Sequence, residues 1–81
     1  MPFVTVSVHE GQLDDAQKAR MISLVTDAVV EGEGYGAASR ASTWVLIDEV
    51  PAGNFGVAGR QIRLADFQAL MAARQAQAPA A

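Results

Sequence analysis

Pro2 directly follows Met1 and opens the run Phe3-Val4-Thr5-Val6-Ser7-Val8. If Met1 is removed, the chain begins with a secondary amine. In its neutral form such an amine can act as a base or a nucleophile; as an ammonium ion it can do neither. Its surroundings must therefore disfavour the charge. Read alone, Pro2 is equally an ordinary start-site residue. The other polar residues offer fewer options. His9 is the only histidine and there is no cysteine, so a histidine-pair or thiolate metal site has no ligands, and no metal or cofactor is expected. Asp48 and Glu49 are adjacent, so on a strand they face opposite ways and cannot form an acid–base pair. Gly32-Glu33-Gly34-Tyr35-Gly36 superficially suggests a phosphate-binding turn. That mechanism needs a strand before the glycines and a helix start after them, whereas here a helix precedes them. They read as a helix stop and connector.

Stepping outward, Phe3 to His9 alternates with period two. Val4, Val6 and Val8 take one face; Phe3, Thr5, Ser7 and His9 take the other, which predicts a strand. Asp14 is a candidate N-cap, and Gln17 three residues later completes a capping box with Asp in place of Ser or Thr. Asp15 in the first turn suits the helix dipole. Met21, Ile22, Leu24, Val25, Ala28 and Val29 recur at spacings of three and four, predicting about five turns of helix with Gly32 as the residue that ends it. Thr43–Val50 reads as a second strand, apolar on both faces at its centre as if covered on both sides. Pro51–Asn54 is a turn, and the Phe55–Gly59 stretch that follows is too glycine-rich for a central strand. Gln61–Leu64 reads as a short strand or extended piece, and Asp66 to about Gln75 as a second helix with Phe67, Leu70 and Met71 on one side. A frayed tail is expected from Ala76 to Ala81.

The 81 residues make one domain, half of it hydrophobic. So short a chain buries a limited share of its surface, and without cysteines association with further copies is the remaining common route to stability. A strand–helix–strand unit closes as a parallel pair through a right-handed crossover. One such unit leaves strand edges and a sheet face uncovered, which argues for a symmetric homo-oligomer. The net charge of −3 and the scattered basic residues argue against nucleic acid. No apolar run suits a signal peptide or a membrane span, so a soluble cytoplasmic protein is the expectation, with no membrane or nucleic-acid partner.

Taken together, Pro2, the Glu10-Gly11 strand end, the Asp14-Asp15-Ala16-Gln17-Lys18 helix start and Asn54-Phe55-Gly56 after the second strand resemble the tautomerase superfamily. The resemblance is to its small 4-oxalocrotonate tautomerase-like group and covers about residues 2 to 60. It implies an α+β fold: a β-α-β protomer with parallel strands, extended here by a short strand-like segment and a helix, that dimerises and assembles into a hexamer. It implies an isomerase acting on a small molecule, with Pro2 as the catalytic base after loss of Met1 and Phe55 as an aromatic wall. Members acting on dicarboxylates carry arginines where this chain has Gln12 and Trp44. Gln12 donates hydrogen bonds without charge, and Trp44 offers an indole donor and an apolar face. These replacements point to a monoacid, an aromatic or a more apolar keto-enol substrate. Trp44 serves equally as a core or interface residue.

Arg40 and Arg60 are the candidates for a replacement cation, each equally a solvated surface residue. Ser42 aligns with a polar residue lining some family sites. His9 lies where a neighbouring copy's site would form, or is a plain surface or interface histidine. Beside the keto-enol isomerase stand three alternatives: a proline-dependent hydratase, dehalogenase or decarboxylase of the same superfamily; a non-catalytic oligomeric relative; and a ferredoxin-like dimeric enzyme or binder. The hydrolytic branches need a further acid to activate water, and the ferredoxin-like fold needs a second strand–helix–strand half; the sequence offers neither.

Overall fold

The computed structural model describes residues 2–77. Strand β1 (Phe3–His9) is followed by helix α1 (Asp15–Glu33), a 3-10 turn over Ala37–Ser42, and strand β2 (Trp44–Val50). A short hairpin, β3 (Phe55–Val57) and β4 (Arg60–Ile62), leads into helix α2 (Leu64–Gln77). β1 and β2 pair in parallel from Phe3↔Trp44 to His9↔Val50. The chain is thus an α+β protein with a β-α-β start.

The helix start follows local chemistry. Asp14 Oδ1 accepts from the Gln17 amide at 2.8 Å while Gln17 Oε1 accepts from the Asp14 amide at 2.8 Å, a complete capping box. Thr26, buried on α1, donates its hydroxyl to the Ile22 carbonyl at 2.6 Å, so its polar atom has a partner. Lys18 Nζ meets Glu49 Oε1 at 2.8 Å and ties the first turns of α1 to the end of β2.

Several boundaries differ from the sequence reading. α1 passes through Gly32 and ends at Gly34, which takes the left-handed conformation (φ 73) and donates its amide to the Val30 carbonyl. Both glycines could end the helix; the one that stops it is the one that turns left-handed. β2 begins at Trp44, because Thr43 closes the 3-10 turn with its amide on the Arg40 carbonyl. Pro51–Asn54 is a turn as expected, closed by the Asn54 amide on the Pro51 carbonyl at 3.1 Å. The glycine-rich stretch after it is no central strand, as expected, but it does pair: Phe55–Val57 runs antiparallel to Arg60–Ile62 in a separate two-stranded hairpin. The two residues between them, Ala58 and Gly59, both have positive φ (52 and 79), the pattern of a two-residue hairpin turn whose twist matches its strands. α2 runs further than expected at both ends, so Ala76 and Gln77 are helical; the rest of the expected frayed tail, 78–81, lies outside the described residues.

β2 was expected to be covered on both faces, and within one chain it is not. α1 packs against the sheet, while Phe3, Trp44 and Leu46 on the other face are 63%, 57% and 49% exposed. Among the described residues, Val8 is the only large apolar side chain that is buried, at 6% exposure. No described helix is long and apolar enough to cross a membrane.

Candidate functional site

The residues singled out in the sequence fall into two groups at opposite ends of β1. Pro2 stands at its start, half-buried, with its carbonyl accepting from the Trp44 amide at 3.0 Å. Trp44 is therefore fixed beside Pro2 by the first rung of the parallel ladder. Ser42 lies two residues upstream and donates its hydroxyl to the Ser39 carbonyl at 3.1 Å. Arg40 is close in sequence, but its guanidinium pairs with Asp27 and also reaches Ser23 Oγ at 3.3 Å, which directs it onto α1.

The second group gathers where β1 ends. His9, Gln12 and Phe55 line one cleft of about 450 Å³. Gln12 folds back on His9 twice: its amide donates to the His9 carbonyl at 3.0 Å, and its Oε1 accepts from the His9 amide at 3.1 Å. Gly11 makes that tight turn possible, since its φ of 83 suits glycine. The His9 ring stacks on Phe55 with centroids 4.0 Å apart and an interplanar angle of 30°. His9 is only 5% exposed, so the plain surface histidine of the sequence reading is corrected. Alternation put His9 on the open face of the sheet with Phe3, Thr5 and Ser7; at this end the hairpin and α2 cover that face. The His9 Nδ1 is enclosed and has no hydrogen-bond partner among the described residues.

Sequence reasoning did not bring α2 into this cleft, yet Phe67 and Leu70 line it, and the Phe67 ring lies 5.4 Å from His9. The signal available was the i, i+3 spacing of two large apolar residues, which predicts a buried helix face without saying against what. Arg60 sits exposed on β4, away from the lining of this cleft.

His9 lies seven positions after Pro2, and an extended strand rises about 3.3 Å per residue, so the two groups are about 23 Å apart. One chain therefore presents two separate groups: a proline beside an indole, and an apolar cleft floored by a buried imidazole. The described residues hold no cluster of carboxylate, histidine or cysteine side chains arranged for a metal ion.

A parallel strand pair joined through a helix, with a proline at the head of the first strand, defines a small β-α-β class of protein. The family model described as tautomerase enzyme matches residues 2–65, and the chain belongs to that family. It is 40% identical over 68 residues to a 2-hydroxymuconate tautomerase of Bacillus subtilis, covering 84% of this chain and 100% of that protein. It is 42% identical over 59 residues to a 2-hydroxymuconate tautomerase of Pseudomonas putida, covering 73% of this chain and 87% of that one. A probable tautomerase of Ralstonia nicotianae is 44% identical over 59 residues, 73% of this chain and 79% of its own. Family and relatives together support an isomerase of the tautomerase type. The small 4-oxalocrotonate tautomerase-like group suggested by the sequence agrees with this.

Proposed function

We propose that this protein is a tautomerase in which Pro2, exposed by loss of Met1, is the general base for keto-enol proton transfer on a small 2-oxo or enol acid. The neutral amine takes a proton from the carbon next to the carbonyl and returns it to oxygen, or to a carbon further along the conjugated system. The amine's lone pair forms the new N–H bond, and the electrons of the broken C–H bond move into the enolate. An apolar setting disfavours the ammonium ion and keeps the base neutral. The observation that carries this reading is the placement of Pro2 at the head of β1, held by its carbonyl against exposed, largely apolar Trp44.

Because Pro2 and the Phe55 cleft lie at opposite ends of one strand, the reading requires a site shared between copies of the chain. Pro2 and Trp44 come from one copy; Phe55, Gln12 and His9 come from another. The uncovered sheet face carrying Phe3, Trp44 and Leu46 supports such self-association, with a hexamer built from dimers as the assembly. In this site Phe55 and His9 supply the apolar wall, and Gln12 and Ser42 supply uncharged polar contacts. Arg40 is engaged by Asp27, so a role for it as the substrate's cation would require that pair to open. A cytoplasmic location belongs to the same reading.

Two relatives are named for 2-hydroxymuconate, a dicarboxylate. With Gln12 and Trp44 at the positions where the resemblance places arginines, the present site favours a substrate with a single carboxylate.

Pro2→Ala, with oligomeric state checked by light scattering, is expected to lower turnover of phenylpyruvate enol by about a hundredfold or more, the usual scale for loss of a general base. Unchanged turnover would refute the role of Pro2. Mass spectrometry of the purified protein checks the premise: a retained Met1 makes the proline nitrogen an amide and abolishes its basicity. Titration of the terminal nitrogen by NMR should give a value below that of free proline.

A further inference from the structure

We propose that α2 is the specificity element of this protein: Phe67, with Leu70 one turn on, forms the apolar end of the cleft that receives the substituent of a 2-oxo monoacid. This end selects an aromatic or bulky apolar group over a short one. The inference rests on the tautomerase reading above and extends it to residues outside the matched family segment, which stops at residue 65.

Three observations carry it. The cleft of about 450 Å³ is within the range that encloses a small organic ligand. Its lining includes Val8, Phe55, Val57, Ile62, Phe67 and Leu70, and contains no lysine or arginine. The one carboxylate in it is Asp66, which accepts from the Arg63 amide at 3.0 Å and caps the start of α2. A second carboxylate on the substrate would therefore meet apolar walls and a like charge, and would leave water without a compensating cation. An aromatic substituent would instead meet rings already arranged to receive it. Phe67 lies 5.4 Å from His9, and His9 stacks on Phe55 at 4.0 Å, so α2 continues the aromatic wall begun by the hairpin. The start of α2 is itself anchored to the site: Leu64 Cδ2 packs over Gly11, at 3.4 Å from where a β-carbon would stand. A displaced helix would therefore disturb the turn that holds Gln12.

The test uses the full-length protein and two enol substrates, those of phenylpyruvate and 2-oxobutanoate. Two unreactive ligands, phenylpropanoate and butanoate, are measured in parallel by calorimetry. The wild type is expected to prefer the aromatic substrate in kcat/KM by about tenfold or more, the scale of several buried carbons in an apolar pocket. Phe67→Ala should remove most of that preference by raising KM for phenylpyruvate enol, with kcat for 2-oxobutanoate enol little changed. Phe67→Leu, which keeps apolar bulk on the helix, should restore part of it. Pro2→Ala should lower turnover of both substrates by about a hundredfold or more and leave phenylpropanoate binding, with its dependence on Phe67, intact. Turnover left unchanged by Pro2→Ala sinks the general-base reading alone. Equal losses on both substrates in Phe67→Ala, without rescue by Phe67→Leu, would show that α2 is only structural and overturn this inference. If the wild type turns over neither substrate, binding decides: tighter phenylpropanoate binding that is lost in Phe67→Ala supports the proposal, and equal affinity for the two ligands overturns it.

Discussion

A buried polar atom without a partner costs about 1–3 kcal/mol, because folding strips its water and returns nothing. Among the described residues His9 Nδ1 is such an atom. The ring around it nevertheless does structural work, stacking on Phe55 and lying against Phe67. These two effects separate under substitution. His9→Ala removes the ring and leaves a cavity between three elements, and is expected to destabilise the fold by about 3 kcal/mol. His9→Phe keeps a flat ring and deletes the unpaired nitrogen, so stability should hold or rise by about 1 kcal/mol, the added volume offsetting part of the gain. Urea unfolding of both variants at one protomer concentration measures the difference. A His9→Phe loss as large as that of His9→Ala would mean that the nitrogen has a partner in the working protein. At this scale the sequence was only half legible. It identified His9 as a lone histidine at a strand end, but its burial depends on Phe67, far along the chain.

Among the described residues few ion pairs hold the elements together, and Lys18–Glu49 is the one that joins α1 to β2. Its hydrogen bond to Glu49 raises the Lys18 ammonium above the ordinary lysine value of 10.5. A raised folded value means that the pair's contribution is fully present below the unfolded value and fades as pH rises through the folded one. A double-mutant cycle of Lys18→Met and Glu49→Gln, followed by thermal unfolding across this range, should show a small coupling that is constant from neutral pH to 10.5 and fades as pH rises through the higher folded value. The pair is solvent-exposed, so salt should weaken the coupling as well. A coupling that persists above the folded value would assign the contact to packing of the lysine stem instead. β1 and α1 were readable because their causes are local: alternation of β-branched residues in one, a capping box and 3.6-residue periodicity in the other. The hairpin was not, because its turn places alanine, not asparagine or glycine, at the first positive-φ position, Ala58, and so lacks the usual signal. Nor could periodicity reveal that α2 docks on the end of β1, since an apolar helix face does not name its partner.

For the molecule as a whole, the single chain is too open to be a finished globule. A compact domain of this length has a radius of gyration of about 12 Å, whereas this chain has 15.7 Å. A monomer of its mass exposes about 4,700 Å², whereas this one exposes 6055 Å². Side chains that a folded protein would hide contribute to it, among them Phe3, Trp44 and Leu46 on the open face of the sheet, and Leu24 on α1. The proposed assembly turns that excess into interface, and it also accounts for a site whose halves lie at opposite ends of β1. Leu46→Glu tests both at once. In a monomer the substitution falls on a half-exposed position and should cost little. In an assembly it places a carboxylate in an apolar interface at a cost of several kcal/mol. The wild type is therefore expected to sediment as an oligomer at micromolar protomer concentration, and Leu46→Glu as a smaller species that keeps its helical circular dichroism. Tautomerase activity should fall with the assembly, although residue 46 is not part of the cleft lining, while Gln68→Glu at an exposed position of α2 leaves both size and activity unchanged. A wild type that sediments as a monomer yet remains active would require Pro2 to work without Phe55, and the shared site would have to be abandoned.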